Sequence, residues 1–436
     1  MTIQQMVEPM RQPGEPTEDL PCGFAYVLKG GVTSAQGFVA AGVHAGFRAD
    51  PQRKDFALVL ADQPGPAAAT FTQNVFCAAP IMVSRQHLDG VSYGTARAVI
   101  INSGNANAAT GSIGMEAAQE SARIAAEAIG CTTDEVLVAS TGVIGQHLPM
   151  EPFAPGIADA LAVASSEGGH EAARAIMTTD TVPKECAVTF DGSALGFDGV
   201  TFTVGGMAKG SGMIMPNMAT MISVITTDAP VPAQALHEAL LAAVKTSFNK
   251  VTVDSDTSTN DCCFVLSSGL AAPKATAQFD LGTAGYDAFA QALKLVTTNL
   301  ARQQAKDGEG ATRLVTVNVT GAANDVDADL AARAIANSPL VKTAIYGHDC
   351  NWGRIAAAAG RSGAKFEQLK VDIDIMGLPV CRGGLTVLFD EDEALKRFEE
   401  PEIIIDIDLG AGEAKTTMWT CDFSHEYVTI NGDYRT

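Results

Sequence analysis

The stretch Lys209-Gly-Ser-Gly-Met-Ile-Met-Pro-Asn-Met-Ala-Thr-Met-Ile-Ser-Val-Ile225 lies at the middle of this 436-residue chain, and the prediction of the fold starts from it. Its first part, up to Asn217, is punctuated by glycines, a pattern typical of a loop. From Thr220 to Thr227 the residues are apolar or β-branched, which predicts a buried strand. The sequence therefore predicts a flexible loop that delivers a threonine to the mouth of a strand.

The position of Thr220 suggests a nucleophile. A threonine hydroxyl reacts poorly at neutral pH unless a base lies beside it. A threonine at a chain N-terminus supplies that base itself, because its free α-amine, with a pKa of about 7.7–8.0, can reach its own Oγ. Thr220 would gain this amine if the Ala219–Thr220 bond were cut, and a flexible loop with a small residue before the hydroxyl suits self-cleavage by an N→O acyl shift. An ordinary loop-to-strand turn has the same pattern, so both interpretations stay open at this point.

The composition predicts a soluble globular protein. The chain has 47% hydrophobic residues, and 50 acidic against 29 basic side chains give a net charge of −21. This charge repels nucleic-acid backbones and anionic lipid surfaces, so neither is an expected partner. No apolar run approaches the roughly 20 residues that a membrane-spanning helix needs. Residues 1–24 are predicted to be a disordered extension without the features of a signal or transit peptide.

Cysteine and histidine spacing bears on metals and on the cellular compartment. The nine cysteines are scattered and never spaced CxxC, and the seven histidines show no ligand spacing. No metal site is therefore predicted. Reduced thiols of this kind fit a cytoplasmic protein.

Apolar periodicity predicts both strands and helices, which indicates an α+β fold. The predicted strands are Gly37–Gly46, Asp55–Asp62, Ala96–Ile101, Glu135–Ala139, Cys186–Phe190, Val200–Val204 and Leu314–Val319, with a further strand starting at Val251; the predicted helices include Pro232–Lys245, Tyr286–Lys306 and Val326–Ala336.

Two strand ends carry polar groups suited to a site. The segment Asn102–Gly111 is rich in asparagine and glycine, which predicts a tight loop that exposes backbone amides. The segment Ser140-Thr141-Gly142 places a hydroxyl donor beside a glycine amide, the equipment of an oxyanion hole. The same residues can also form an ordinary turn or cap a helix.

Three polar segments in the second half of the chain have less specific patterns. Glu309 lies between two glycines and is predicted to be a mobile, exposed carboxylate, either solvated or in contact with a cationic substrate. Asp254 begins a calcium-loop-like run, but the required glycine is absent and Val265 replaces the bidentate glutamate, so calcium is rejected. The tail from Tyr427 to Thr436 is predicted to dock on the body.

Several of these segments, in this order along the chain, together resemble the ornithine acetyltransferase family, the bifunctional enzymes of arginine biosynthesis. The resemblance extends from about Gly37 to the end and is carried by Asn102–Asn107, Val138–Gly145, Met177–Thr181, Lys209–Ile222, Asp256–Asp261, Asp307–Thr312, Asn351–Arg354 and Ile430–Thr436.

The resemblance implies an activity. Self-cleavage between Ala219 and Thr220 would leave chains 1–219 and 220–436, and Thr220 would take the acetyl group of N-acetylornithine and pass it to glutamate. Thr141, by its side chain, and Gly142, by its backbone N–H, match the family's oxyanion hole. The residues that match the family's substrate contacts are Thr141, Lys209, Thr220, Glu309, Asn431 and Thr436.

The resemblance also implies an architecture. It predicts two packed β-sheets flanked by helices, an αββα sandwich of the N-terminal-nucleophile type over residues 25–320, and a smaller α+β domain over residues 321–436. The two fragments would stay associated, with two copies of each. No cofactor is expected, and the sequence leaves open whether acetyl-CoA serves as a co-substrate.

Departures from the family pattern are few, and two other functions remain alternatives. Ser255 stands where glycine is expected, which does not touch the predicted nucleophile. A self-processing aminopeptidase or amidase would use water as the acyl acceptor in place of glutamate. A non-enzymatic binding protein would remain a single uncut chain.

Overall fold

A computed structural model of the chain describes residues 20–215, 221–273 and 278–433. The predictions for Ala219, Thr220 and Thr436, and most of the predicted extension over residues 1–24, lie outside these described residues.

The strands are β1 (Phe24–Tyr26), β2 (Phe38–Val43), β3 (Phe56–Phe71), β4 (Tyr93–Asn105), β5 (Val136–Val143), β6 (Lys184–Asp191), β7 (Thr201–Lys209), β8 (Ile222–Thr227), β9 (Cys262–Ser267), β10 (Leu314–Ala322), β11 (Asp372–Ile375), β12 (Leu378–Arg382), β13 (Leu385–Thr386), β14 (Glu402–Asp408) and β15 (Ala414–Cys421). The helices are α1 (Ala79–His87), α2 (Gly111–Ile129), α3 (Phe153–Val163), α4 (Gly169–Ala175), α5 (Ala233–Thr246), α6 (Ala284–Lys306), α7 (Asp325–Ala336), α8 (Pro339–Tyr346), α9 (Trp352–Gly360), α10 (Glu391–Arg397) and α11 (His425–Asp433).

The larger part of the protein is built on a mixed sheet of nine strands in the order β1-β6-β7-β8-β9-β3-β4-β5, with β2 paired to β3. Strand β3 joins two halves of this sheet. Its first half pairs with β2, its second half pairs with β9, and its register against β4 shifts between Leu60 and Gly65. A register shift of this kind bends a strand and increases its twist. The two halves therefore form two layers that share β3.

Side-chain alternation shows that the two layers pack face to face. On β3, Val59 joins the core between the layers, whereas Leu58 faces the helices α2 and α3. On β9, Phe264 joins the same inner core, whereas Val265 faces the helices α5 and α6. Successive side chains of a strand point to opposite faces, so both sheet layers are buried on both sides. The predicted αββα sandwich and the α+β class are confirmed.

The central strand predicted after residue 220 is confirmed as β8, whose six residues are all buried. Several other strands run further than predicted, and one predicted strand is absent. Strand β4 continues beyond Ile101 to Asn105, β5 beyond Ala139 to Val143, and β7 beyond Val204 to Lys209. The strand predicted over Asp55–Asp62 continues to Phe71, through prolines that lie at the register shift. No strand begins at Val251. This residue forms an isolated bridge to Trp419, and Thr252 N donates to Trp419 O, so the segment crosses to the second sheet.

The second sheet has six strands in the order β13-β12-β11-β14-β10-β15. Its core is formed with helices such as α7 and α9. The sheet begins with β10 at Leu314, before the predicted domain start at residue 321, because β10 pairs with β14 and β15 near the end of the chain. Such a pairing is non-local, so periodicity could not locate this start.

Within the described ranges, no helix is both long and apolar enough to cross a membrane.

Candidate active site

The candidate active site is a cleft where the ends of several strands meet. It lies between the end of β5, the end of β7, the start of β8 and the loop before β9. The residues that line it are Thr141, Lys209, Gly210, Gly212, Met213, Ile214, Met221, Ile222, Ser258, Asn260 and Asp261. Met221 is bonded to Thr220, so the cleft adjoins the predicted cleavage position.

At the end of β5, Thr141 is half-buried and lines the cleft. The next residue, Gly142, has a backbone conformation that residues with a side chain avoid. Gly142 has a φ of +131° and lies opposite Gly104 on β4. A β-carbon at position 142 would fall 2.3 Å from the carbonyl carbon of Gly104. Only glycine allows this close approach. The predicted oxyanion residues therefore form a tightly packed strand end.

Asparagine side chains hold this strand end to its neighbours. Asn260 Nδ2 donates to the carbonyl oxygens of Ala106 at 2.6 Å and Ser140 at 2.9 Å. The Ser140 hydroxyl donates to Asn102 Oδ1 at 2.6 Å. Asn260 thus links the loop before β9 to both predicted site segments, Asn102–Gly111 and Ser140–Gly142. The sequence signals for it were its polar surroundings and the segment Asp256–Asp261, which carries part of the family resemblance.

Lys209, at the end of β7, is 8% exposed and lies in a buried network of charges. Its Nζ is 3.9 Å from Asp180 Oδ2. Burial lowers the pKa of Lys209, and the attraction of Asp180 offsets part of that effect. The predicted contact residue is therefore a partly desolvated cation beside the cleft.

Asp180 joins Lys209 to a second buried lysine, Lys184. Asp180 Oδ1 accepts hydrogen bonds from Lys184 Nζ at 2.7 Å and from Gly210 N at 2.6 Å. Burial alone would raise the pKa of Asp180, but Lys184, Lys209 and the Gly210 amide lower it below its usual range. Asp180 therefore stays ionised and fixes the chain at the glycine that follows Lys209. The sequence analysis missed this role.

Lys184 also holds the loop that carries Glu309. Its Nζ donates to Asp307 Oδ2 at 2.5 Å, and the backbone N–H of Thr181 donates to the same oxygen at 3.1 Å. Burial acts to lower the pKa of Lys184, but the attraction of Asp180 and Asp307 exceeds it and raises the pKa. The loop from Asp307 onward is therefore anchored to the sheet by a buried ion pair.

The prediction that Glu309 is exposed is wrong, since it is 6% exposed. Its backbone N–H donates to Ser211 O at 2.9 Å, and its Oε2 accepts a hydrogen bond from Asn431 Nδ2 at 2.7 Å. Glu309 also packs on the α-carbon of Gly212, a cleft residue. Contacts with distant segments of the chain bury it, which its local sequence could not indicate.

The predicted docking of the tail is observed as far as the structure describes it. Helix α11 carries Asn431 and lies against the loop at Gly310, whose carbonyl accepts a hydrogen bond from the Ser424 hydroxyl at 2.6 Å. The rings of Phe423 and Tyr427 stack with centroids 4.7 Å apart. The tail therefore brings Asn431 to the Glu309 carboxylate.

Asp254, which begins the calcium-like run, binds backbone amides. Its two oxygens accept hydrogen bonds from Met213 N at 2.5 Å and Ile214 N at 2.9 Å. Met213 has a φ of +53°, so this carboxylate holds a turn at the edge of the cleft. Over residues 20–215, 221–273 and 278–433, no group of three or more His, Cys, Asp or Glu side chains could hold a metal ion.

The structure brings Thr141 and Lys209 to one cleft, and places Glu309 and Asn431 in contact with each other behind Gly212. Asp261, a buried carboxylate in the lining of the same cleft, was predicted only as the last residue of the family segment Asp256–Asp261, without a role in the site.

Comparison with known proteins gives the family of this fold and cleft. A sequence model of the ArgJ family matches residues 39–436. The chain is 50% identical over 410 residues to a protein of Symbiobacterium thermophilum, covering 94% of this chain and 99% of the relative. It is 47% identical over 414 residues to a protein of Caldanaerobacter subterraneus subsp. tengcongensis, covering 94% of this chain and 100% of the relative. Both relatives are named arginine biosynthesis bifunctional protein ArgJ.

Among solved structures, the ornithine acetyltransferase of Mycobacterium tuberculosis in complex with ornithine is 42% identical. It covers 45% of this chain and 100% of its own chain, with a TM-score of 0.41. The family model and the two curated relatives decide the family to which the αββα sandwich and its cleft belong. The chain is a member of the ArgJ family.

Proposed function

We propose that this protein transfers the acetyl group of N2-acetyl-L-ornithine to L-glutamate, with Thr220 as the nucleophile after cleavage at Ala219–Thr220. One observation carries the proposal. The cleft that adjoins position 220 is lined by both Thr141 and Lys209, two of the predicted substrate contacts. The relatives' place in arginine biosynthesis supports the same reaction.

In the proposed first step, Thr220 Oγ forms a bond to the acetyl carbonyl carbon as the bond from that carbon to the ornithine nitrogen breaks. The α-amine of Thr220 accepts the hydroxyl proton and returns a proton to the departing ornithine amine. Negative charge that develops on the carbonyl oxygen would be stabilised by the Thr141 hydroxyl and the Gly142 N–H.

In the second step, the amine of glutamate attacks the acetyl-threonine ester. As the ester bond breaks, the glutamate amine loses a proton to the Thr220 α-amine, which passes a proton to Oγ, so the Thr220 hydroxyl is restored and N-acetylglutamate leaves. Acetyl transfer through a covalent ester predicts ping-pong kinetics.

Two charged residues suit the two ends of the donor. Lys209 is a partner for the α-carboxylate that both amino acids carry, and Glu309 is a partner for the cationic end of ornithine. Both side chains are nearly buried, so an analogue that lacks either charge would lose one of these two contacts in a poorly solvated site. This supports selection of a substrate with both charges.

A second activity is favoured by the names of the relatives. Because they are called bifunctional, we propose that acetyl-CoA also donates an acetyl group to glutamate. We further propose that the fragments 1–219 and 220–436 stay associated, with two copies of each in the assembly. The free thiol state of all nine cysteines supports a cytoplasmic location.

The test is intact mass under denaturing conditions for the wild type and Thr220→Ala. We expect two wild-type fragments divided at Ala219–Thr220, an uncut variant, and an acetyl adduct on the 220–436 fragment after incubation with N-acetylornithine. Thr246→Ala, an exposed threonine, is the matched control and is expected to be cut normally.

Two outcomes would favour the alternatives. An uncut wild type without an adduct would favour a binding protein. A cut protein that releases acetate from its adduct equally fast without glutamate would favour a hydrolase.

A further inference from the structure

Asp261 is a buried carboxylate in the lining of the cleft that the proposed mechanism does not use. It immediately precedes β9 and is 1% exposed. Its Oδ2 atom is buried and has no hydrogen-bond partner within residues 20–215, 221–273 and 278–433. A buried carboxylate oxygen without a partner destabilises the fold, so a polar partner for Oδ2 is expected.

Strand pairing places Asp261 beside the first described residue after the predicted cleavage position. Strands β8 and β9 are parallel, with Ile222 opposite Cys262, and Cys262 N donates to Met221 O at 2.8 Å. Met221 and Asp261 both line the cleft, and hydrogen bonding from the Ser258 hydroxyl, the Met221 backbone N–H and the Thr72 hydroxyl acts to lower the pKa of the Asp261 carboxylate. This carboxylate is therefore held at the nitrogen that begins residue 221.

Covalent geometry connects that nitrogen to residue 220. Two consecutive backbone nitrogens are separated by three bonds and lie at most about 3.6 Å apart. The nitrogen of residue 220 is therefore three bonds from the Met221 nitrogen, whatever conformation residue 220 adopts. In an uncut chain this atom is a neutral amide nitrogen, and after cleavage it becomes an amine with additional N–H donors and a positive charge when protonated.

We infer that Asp261 accepts a hydrogen bond from the α-amine that cleavage creates at residue 220, and so positions this amine for proton transfer with Thr220 Oγ. The inference rests on the proposed N-terminal nucleophile and adds a positioning residue to it. One N–H of the amine is directed to Asp261, which leaves the nitrogen lone pair for the hydroxyl proton. That proton passes through the amine to the departing ornithine nitrogen, so Asp261 neither gains nor loses a proton.

The surroundings of Asp261 agree with this role. Its charged and titratable neighbours are Lys209 from β7, Cys77 from the loop after β3, and Cys262 next to it. Burial raises the pKa of Asp261 well above its usual range, and the hydrogen bond from Ser258 and the attraction of Lys209 oppose this only in part. An ammonium group at residue 220 would add the nearby positive charge that a buried carboxylate needs. The carboxylate in turn favours the protonated amine and raises the amine pKa.

The experiment compares Asp261→Asn with Asp228→Asn. Asp228 is a matched control because it is also buried, lies just beyond the opposite end of β8, and accepts backbone hydrogen bonds from Thr203 N at 2.7 Å and Gln36 N at 3.0 Å. For each protein, cleavage is measured by intact mass, and kcat/KM for acetyl transfer is measured from pH 5 to 10.

Loss of the Asp261 charge is expected to lower the amine pKa, so the acidic limb of the kcat/KM profile should move to lower pH by roughly one unit. Asp228→Asn should keep the acidic limb of its kcat/KM profile at the same pH as the wild type. The inference would be overturned if Asp261→Asn is cut, is active, and has the acidic limb of its kcat/KM profile at the same pH as the wild type.

A second variant covers the case in which Asp261→Asn does not fold or is not cut. Asp261→Glu keeps the charge but displaces the oxygens, so it should keep the acidic limb within a few tenths of a unit and lower kcat at least tenfold. Unchanged kcat in Asp261→Glu would overturn the positioning role. A wild type that is itself uncut or inactive would instead contradict the proposed function, so the two failures are distinguishable.

Discussion

The α-carbon of Gly212 packs directly on the carboxylate of Glu309. A β-carbon at position 212 would fall 2.3 Å from Glu309 Cδ and 2.4 Å from each carboxylate oxygen. Gly212 lines the cleft, and the carboxylate is buried against it. The absence of a side chain at Gly212 therefore decides where this carboxylate lies.

Replacing Gly212 by alanine is expected to displace the Glu309 carboxylate while leaving the fold intact, because the atoms that clash are the movable end of a side chain. If Glu309 binds the cationic end of the donor, KM for N-acetylornithine should rise at least tenfold, with a smaller change in KM for glutamate. Steady-state kinetics with each substrate varied separately would measure this. Gly360→Ala, where a β-carbon meets nothing within 4 Å, should leave both constants unchanged.

Thr141→Ala is expected to lower kcat by very roughly 10²–10³-fold, since one donor of the proposed oxyanion hole is lost. Thr141→Ser keeps the hydroxyl and should recover most of the activity. Single-turnover formation of the acetyl adduct would show whether the loss falls on the acyl-transfer step. Full activity in Thr141→Ala would leave the segment Ser140–Gly142 as the packed end of β5 without a catalytic role.

Asp180→Asn is expected to destabilise the protein by about 3–5 kcal/mol at pH 7, because Lys184 and Lys209 would lose their shared buried counter-charge. The lysines hold the pKa of Asp180 below the value of about 3.9 for aspartate in an unfolded chain. This carboxylate therefore stabilises the fold above about pH 4, and its contribution decreases as the pH falls toward the lower folded pKa.

Urea unfolding of wild type and Asp180→Asn at pH 7, 5, 4 and 3 would test this dependence. The difference in free energy of unfolding should be constant from pH 7 to 5 and become smaller below about pH 4. Asp198→Asn, at an exposed position, should show no difference from wild type at any pH. A large Asp180→Asn effect that persists undiminished at pH 3 would contradict the assigned ion pairs.

Asn431→Ala removes the donor that Glu309 Oε2 accepts from helix α11 at 2.7 Å. The buried carboxylate would lose one hydrogen bond, and the helix would lose one attachment to the cleft. We expect KM for N-acetylornithine to rise several-fold with little change in melting temperature, since Asn431 itself is exposed. Val428→Ala, on an exposed part of the same helix, is the control, and equal effects of the two changes would contradict a specific contact.

Much of the fold was predictable because its signals are local. Strand β8 and helices α5 and α6 follow from runs and periods of apolar residues within a few turns of the chain. Thr141 and Gly142 could be selected because a hydroxyl and a glycine follow a predicted strand end, and the family resemblance gave them roles, whereas Lys209 was selected through the resemblance. The structure places Thr141 and Lys209 in the lining of one cleft.

The failures concern segments whose state depends on distant partners. Strand β3 was predicted to end at Asp62, yet β4 pairs with it to Ala68 and β9 to Phe71, and Pro64 lies within the register shift. Glu309 was predicted to be exposed from its flanking glycines, yet it lies against Gly212.

The sequence by itself determined which segments form β8, α5 and α6, which polar residues end the strands, and that the net charge is strongly negative. Only the tertiary structure decided that Glu309 is buried, that Asp180 joins two lysines, and that Asp261 lies beside the residue after the predicted cleavage position. Periodicity reflects hydrogen bonds and packing within a few residues. The surroundings of a buried charge, in contrast, come from contacts such as that between Glu309 and Asn431, which are 122 residues apart along the chain.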